Sequence, residues 1–210
     1  MASGIPVPLP PLQKMDCATP VSILVFGYGS IIWKQEFEYT RSFPCCVAGY
    51  RRVFFQGSTD HRGTPGKPGR VVTLIQSSEP NSFVAGVAFE LPPDAAKREE
   101  ILAKLDHRES GGYVREEVKL YDISTHEALN IAEGTLCLCY RATEENSEYL
   151  GEATEEVIAQ QVADCAGPSG PNSEYVFKLA EGLRALGVED AHVFTVEREV
   201  RRILGQGAAR

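Results

Sequence analysis

The sequence predicts an α+β domain, a small, mostly antiparallel, barrel-like β-sheet with helices packed against it. Two observations predict this class. Strand-like and helix-like segments come in blocks (strands, one helix, more strands, then helices) rather than in the βαβα alternation of a doubly wound sheet. A chain of 210 residues, 43% hydrophobic and 24% charged, has the size and composition of one domain with a proper core.

The first strand is read at Ser22 to Gly27, within VSILVFGYGS. It is apolar on both faces, as a strand buried on both sides must be, and it runs into a glycine-rich turn. CCVAGYRRVFFQG reads as the second strand, and STDHRGTPGKPG, with glycines and prolines interleaved, as a loop. RVVTLIQ and FVAGVAFEL are further strands, and Glu79-Pro80-Asn81 between them predicts a hairpin. A helix begins near Pro93-Asp94 with Ile101, Leu102 and Leu105 on one face; Gly111-Gly112 end the regular structure beyond it. YVREEVKLYDI and GTLCLCYRA are two more strands.

Thr154 caps a helix with Val157, Ile158, Val162 and Cys165 as its apolar stripe, stopped by Gly167-Pro168. Asn172 caps the next, with Val176, Leu179, Leu183 and Leu186 turned to the core and Gly187 at its end. Asp190 to Leu204 reads as a charged amphipathic helix. Residues 1–20, rich in proline, are expected to form a flexible arm, and 21–205 the single domain.

A net charge of −8 argues against a nucleic-acid or anionic-membrane surface, since both need a basic patch. It leaves room for an anionic small ligand at a locally positive site. No apolar run approaches the roughly 20 residues that cross a bilayer. The first residues lack the basic start and unbroken apolar stretch of a secretory signal, so a cytoplasmic protein is expected. Adjacent Cys45-Cys46 and the Cys137-x-Cys139 pair do not have the C-x2-4-C spacing of zinc sites. With Cys17 and Cys165 they are expected to be free thiols, with Cys137 and Cys139 facing the same way into the core.

Two segments carry candidate chemistry. GTPGKPG fails the P-loop pattern because Pro68 follows Lys67, and FGYGS lacks the third glycine of a dinucleotide fingerprint. FGYGSII does place two glycines around Tyr28 at a strand end, where backbone N–H groups can meet an anion or a developing oxyanion. An ordinary tight turn explains it equally well. The second segment is Asp106-His107-Arg108-Glu109-Ser110-Gly111-Gly112-Tyr113. A solvated charged loop, an Asp106/Glu109 carboxylate pair for glycoside chemistry, and His107 as a base all remain open there. His61, in the glycine/proline loop, reads as a turn residue with a ligand contact as the alternative, and His126 and His192 form no metal-binding pair. No G-x-S-x-G elbow occurs.

Four motifs taken together are more specific. V-F-G-Y-G-S-I-I-W at Val25–Trp33, Q-G-S-T-D-H-R-G-T-P-G-K-P-G-R-V-V-T-L at Gln56–Leu74, L-D-H-R-E-S-G-G-Y at Leu105–Tyr113 and A-G-P-S-G-P-N-S-E-Y at Ala166–Tyr175 closely resemble the ChaC family, in its order, from about Val21 to Leu204. The resemblance implies a small β-barrel with helices outside and a pocket at one end. It implies a γ-glutamyl cyclotransferase, a cyclising lyase that splits glutathione into 5-oxoproline and Cys-Gly with no metal or organic cofactor. By the family's motif the catalytic residue is Glu109. The turn residues Val25, Phe26, Gly27, Tyr28, Gly29, Ser30 and Ile31 hold the γ-glutamyl group, and Tyr175 lies near the pocket. Ser110 and His107 depart from the lysine and aromatic residue common at those places, and neither removes a carboxylate or a turn glycine. The alternatives are a cyclotransferase for other γ-glutamyl amines or amino acids, and a non-catalytic glutathione-binding module.

Overall fold

The computed structural model describes residues 22–108 and 113–205. The expected arm at 1–20, Cys17 and Glu109 lie outside the described residues. β1 (Ser22–Gly27) ends in a short 3-10 turn, Ser30–Ile32, and is followed by β2 (Arg41–Ala48), β3 (Tyr50–Ser58), β4 (Gly69–Gln76) and β5 (Phe83–Glu90). α1 (Ala95–Arg108) leads to β6 (Tyr113–Glu117), β7 (Leu120–Tyr121) and β8 (Thr135–Ala142). α2 (Glu155–Asp164), the short β9 (Ala166–Gly167) and β10 (Gly170–Pro171), α3 (Asn172–Ala185) and α4 (Ala191–Ile203) complete the order.

The main sheet has six strands in the order β6-β8-β1-β5-β2-β7. Every pairing in it is antiparallel except β1–β8. The α+β class and the mostly antiparallel sheet are therefore as expected, but no closed barrel is formed by the described residues. β6 and β7 are the outer strands of the sheet and do not pair, while β3 and β4 form a two-stranded ribbon of their own.

Gly49 is one cause. Its φ of +82° is a conformation that a side chain resists, and it turns the chain sharply between β2 and β3. The segment expected as one strand is thus two, each in a different sheet. The expected β4–β5 hairpin is absent as well. β2 pairs along its whole length with β5, from Arg41↔Glu90 to Ala48↔Phe83, while β3 pairs with β4. The Glu79–Asn81 turn links two sheets.

β1 is buried on both sides, as its composition requires. Leu24 and Phe26 pack with Cys45, Cys137 and Cys139 against α2, α3 and α4. Ile23 and Val25 face the other way, against Ile101, Leu102 and Leu105 of α1. The described cysteines are all buried and none is in a disulfide. Burial pushes the Cys45 thiol up to about 12, with Cys46 adding to it, and lifts Cys46 and Cys137 to about 11.

Thr154 caps α2 by accepting from the Val157 N–H, and Ile158, Val162 and Cys165 are buried. Val157 is 56% exposed, so it leaves the predicted stripe. α2 ends at Asp164 because Cys165 is already extended, before Gly167 is reached. Asn172 is not a cap either: Pro171 holds that place, and Asn172 is the first residue of α3. Its fully buried side chain accepts from Arg70 N at 2.7 Å and donates to Arg70 O at 2.8 Å, joining α3 to β4. Asn172→Ala leaves both backbone groups without this partner, and each such group costs about 1–3 kcal/mol. A loss of about 2–4 kcal/mol is expected in urea unfolding at unchanged m-value, and a loss below ~1 kcal/mol contradicts this bond's role.

Candidate active site

A cavity of about 180 Å³ opens where β1 ends. Phe26, Gly27, Tyr28, Gly29, Ser30, Ile31 and Tyr175 all line it, so the structure brings these sequence-predicted residues together. Val25 does not belong with them. It is fully buried against the α1 side of the sheet, because successive strand residues face opposite ways and Phe26 takes the cavity side.

The turn after β1 is closed at both ends. Ile32 N donates to Gly29 O at 3.0 Å, and Lys34 N to Ser30 O at 2.8 Å. Gln35 Nε2 then donates to the carbonyls of Ile31 and Ile32 at 2.7 and 2.8 Å. Against this turn stands Tyr175 from α3, 5% exposed, its hydroxyl accepting from Val72 N at 3.3 Å. Its ring meets Trp33 edge-on with centroids 5.3 Å apart. A Cβ on Gly29 would lie 3.1 Å from the Tyr175 hydroxyl, so the two surfaces are in close contact.

The glycine/proline loop forms the facing wall. Ser58 Oγ accepts from Arg62 N at 3.0 Å, and Thr64 and Lys67 exchange backbone bonds of 3.0 and 2.9 Å across the loop's tip. Ser169 N donates to His61 O at 2.9 Å, and the His61 ring lies 3.2 Å from Ser169 Oγ. His61 therefore both stabilises the loop and lines the cavity.

Sequence reasoning missed Arg62. It is 8% exposed, lines the cavity, and donates from Nη1 to Pro171 O at 3.0 Å and to Glu174 Oε2 at 2.9 Å. Glu174 is shared with Lys178 at 2.5 Å, and Lys178 with Arg62 holds its carboxyl below the usual range. The cluster so keeps one positive charge in excess, with the buried guanidinium on the cavity side. Nothing local in D-H-R-G distinguishes this arginine from a solvated one; only the docking of the loop onto β10 and α3 buries it.

Tyr113 and Tyr140 complete the wall beside α1. Asp106, in the last turn of α1, accepts from Tyr140 Oη at 2.6 Å and from Arg115 Nη1 at 3.0 and 3.1 Å. Both carboxylate oxygens serve the scaffold, which speaks against the Asp106/Glu109 glycoside pair. His107 is exposed. Burial and the bond to Asp106 push the Tyr140 hydroxyl well above its ordinary range, so it stays a donor at neutral pH. Among the described residues no three His, Cys, Asp or Glu side chains are grouped to hold a metal ion, and no helix is long and apolar enough to cross a membrane.

Solved structures share this architecture. A yeast γ-glutamyl cyclotransferase specific to glutathione superposes with a TM-score of 0.77 at 28% identity, over 87% of this chain and 96% of that one. A second structure named γ-glutamyl cyclotransferase has the same fold at 18% identity and a TM-score of 0.51, covering 89% of this chain and 99% of that one. The class is that of γ-glutamyl cyclotransferase-like folds. Within it, the family model described as ChaC-like protein matches residues 23–203, and the chain belongs to that family. It is 41% identical to gamma-glutamylcyclotransferase 2-3 of Arabidopsis thaliana over 89% of this chain and 92% of that protein. It is also 41% identical to glutathione-specific gamma-glutamylcyclotransferase 1 of Danio rerio, over 84% and 87%.

Proposed function

We propose that this protein is a glutathione-specific γ-glutamyl cyclotransferase, releasing 5-oxoproline and Cys-Gly. The observation that carries the reading is the cavity built on the Gly27–Ile31 turn and Tyr175 in a chain of the ChaC family. The reaction is an internal aminolysis, in which the substrate's α-amine attacks its own γ-carbonyl, the ring closes, and the Cys-Gly nitrogen leaves. Nucleophile and electrophile share one molecule, so the protein's first task is to hold the γ-glutamyl group folded. This task falls to two of the cavity's walls, the hydrogen-bonded turn and the buried Tyr175.

Two further tasks remain. The ammonium must lose a proton and the leaving nitrogen must gain one, and a single carboxylate, Glu109, does both in turn. Negative charge on the former carbonyl oxygen needs donors, for which the backbone N–H groups of Tyr28 to Ile31 are assigned, each such donor typically contributing ~10²–10³ in rate. No covalent enzyme intermediate and no cofactor is needed. The buried thiols, none of them in a disulfide among the described residues, suit a reducing compartment, consistent with work in the cytoplasm.

Incubation with glutathione is expected to yield 5-oxoproline and Cys-Gly in equal amounts. In a side-by-side assay γ-Glu-Ala is expected to turn over at least ~10-fold less efficiently. Equal rates on the two substrates contradict glutathione specificity. Glutathione binding without Cys-Gly release contradicts catalysis and favours a binding module.

A further inference from the structure

Asp106 stands where helix electrostatics disfavours it. The last turn of a helix presents carbonyl ends and favours cations, so a carboxylate there does not serve the helix itself. What it serves is a junction of three elements. Asp106 accepts from Arg115 on β6, whose side chain is only 9% exposed, and from Tyr140 on β8, which is 4% exposed. Arg115 Nη1 reaches both carboxylate oxygens, and the Tyr140 bond, at 2.6 Å, is short and charge-assisted. Tyr140 and Tyr113 line the cavity, so the junction lies directly behind its wall. In sequence, Asp106 and Arg115 flank the link between α1 and β6, and Glu109 belongs to that link.

We propose that Asp106 is a positioning residue of the active site. By taking Arg115 and Tyr140 together it ties the end of α1 to β6 and β8, and α1 and β6 are the two elements that Glu109 joins in sequence. This rests on the reading of Glu109 as the acid/base of the cyclotransferase reaction.

The test is a double-mutant cycle of Asp106→Asn and Glu109→Gln, followed by 5-oxoproline release from glutathione. Asparagine keeps the shape but removes the charge that holds the clamp. Alone it is expected to lower kcat by ~10–100-fold, as misplaced catalytic groups do, with KM within about threefold. In the Glu109→Gln background it is expected to change the residual rate by less than about twofold, because there is no acid/base left to misplace. A purely structural role lowers both backgrounds by the same factor. Should Asp106→Asn fail to fold, Arg115→Lys, which keeps the charge but loses the length and planar geometry of the guanidinium, is read in the same cycle with the same expectation. Full kcat in Asp106→Asn, or equal losses in both backgrounds, overturns the positioning role while leaving the acid/base reading intact. Normal turnover in Glu109→Gln alone overturns both.

Discussion

Glu109→Gln is expected to give a folded protein whose release of 5-oxoproline from glutathione is lower by ~10²–10⁴. The side chains are nearly equal in size, so the variant should unfold at the same urea concentration as the parent. What changes is proton transfer, since an amide neither takes a proton from the substrate's ammonium nor returns one to the leaving nitrogen. The remaining rate reflects folding of the substrate in the cavity and donation to its carbonyl oxygen. Glutathione binding, measured directly on the variant, is expected to stay within a few-fold of the parent. The decisive measurement is single-turnover release, and a variant that turns over normally removes Glu109 from the mechanism.

Gly63→Ala is expected to produce a large loss of stability. A Cβ at this position would lie 2.1 Å from Gly69 N, 2.5 Å from Ser58 O and 2.6 Å from Lys67 O. All three are backbone atoms, so no side-chain rotation relieves the overlap and the loop must open. A cost of about 2–4 kcal/mol is expected in urea unfolding, in the range of severe overpacking. Because Arg62 precedes Gly63 and lines the cavity, glutathione turnover should fall as well. Gly66→Ala is the matched control. Nothing lies within 4 Å of the added carbon there, so a change within about ±0.5 kcal/mol is expected. Equal stability of the two variants contradicts the tight packing of this loop.

The same loop marks the limit of what could be read in one dimension. Its glycines and prolines announced irregular backbone, and its motif pointed to a family. That Arg62 is buried and that Asn172 pairs with β4 depend on contacts between segments far apart in the chain, to which local pattern is blind. Helix caps were legible where the partner is a neighbour, as at Thr154, which holds the N–H group of Val157. They misled at Asn172, where a distant strand offered both a donor and an acceptor. Val25 shows the converse. A motif carried it into the site, and strand alternation turns its side chain to the core on the α1 side instead of the cavity.

Most strand segments, most helix-face residues and the glycine turn after β1 were readable from the chain alone, because each rests on short-range periodicity or on a residue's own backbone preferences; CCVAGYRRVFFQG and YVREEVKLYDI, each read as one strand, are two apiece. So was the family, through four linked motifs. Pairing was not. The separation of β3–β4 from the main sheet, the parallel β1–β8 contact and the clamp of Asp106 on Arg115 and Tyr140 were decided in three dimensions. Strand partners are chosen by which apolar faces close the core together, and a buried polar group takes whichever partner the fold leaves within reach.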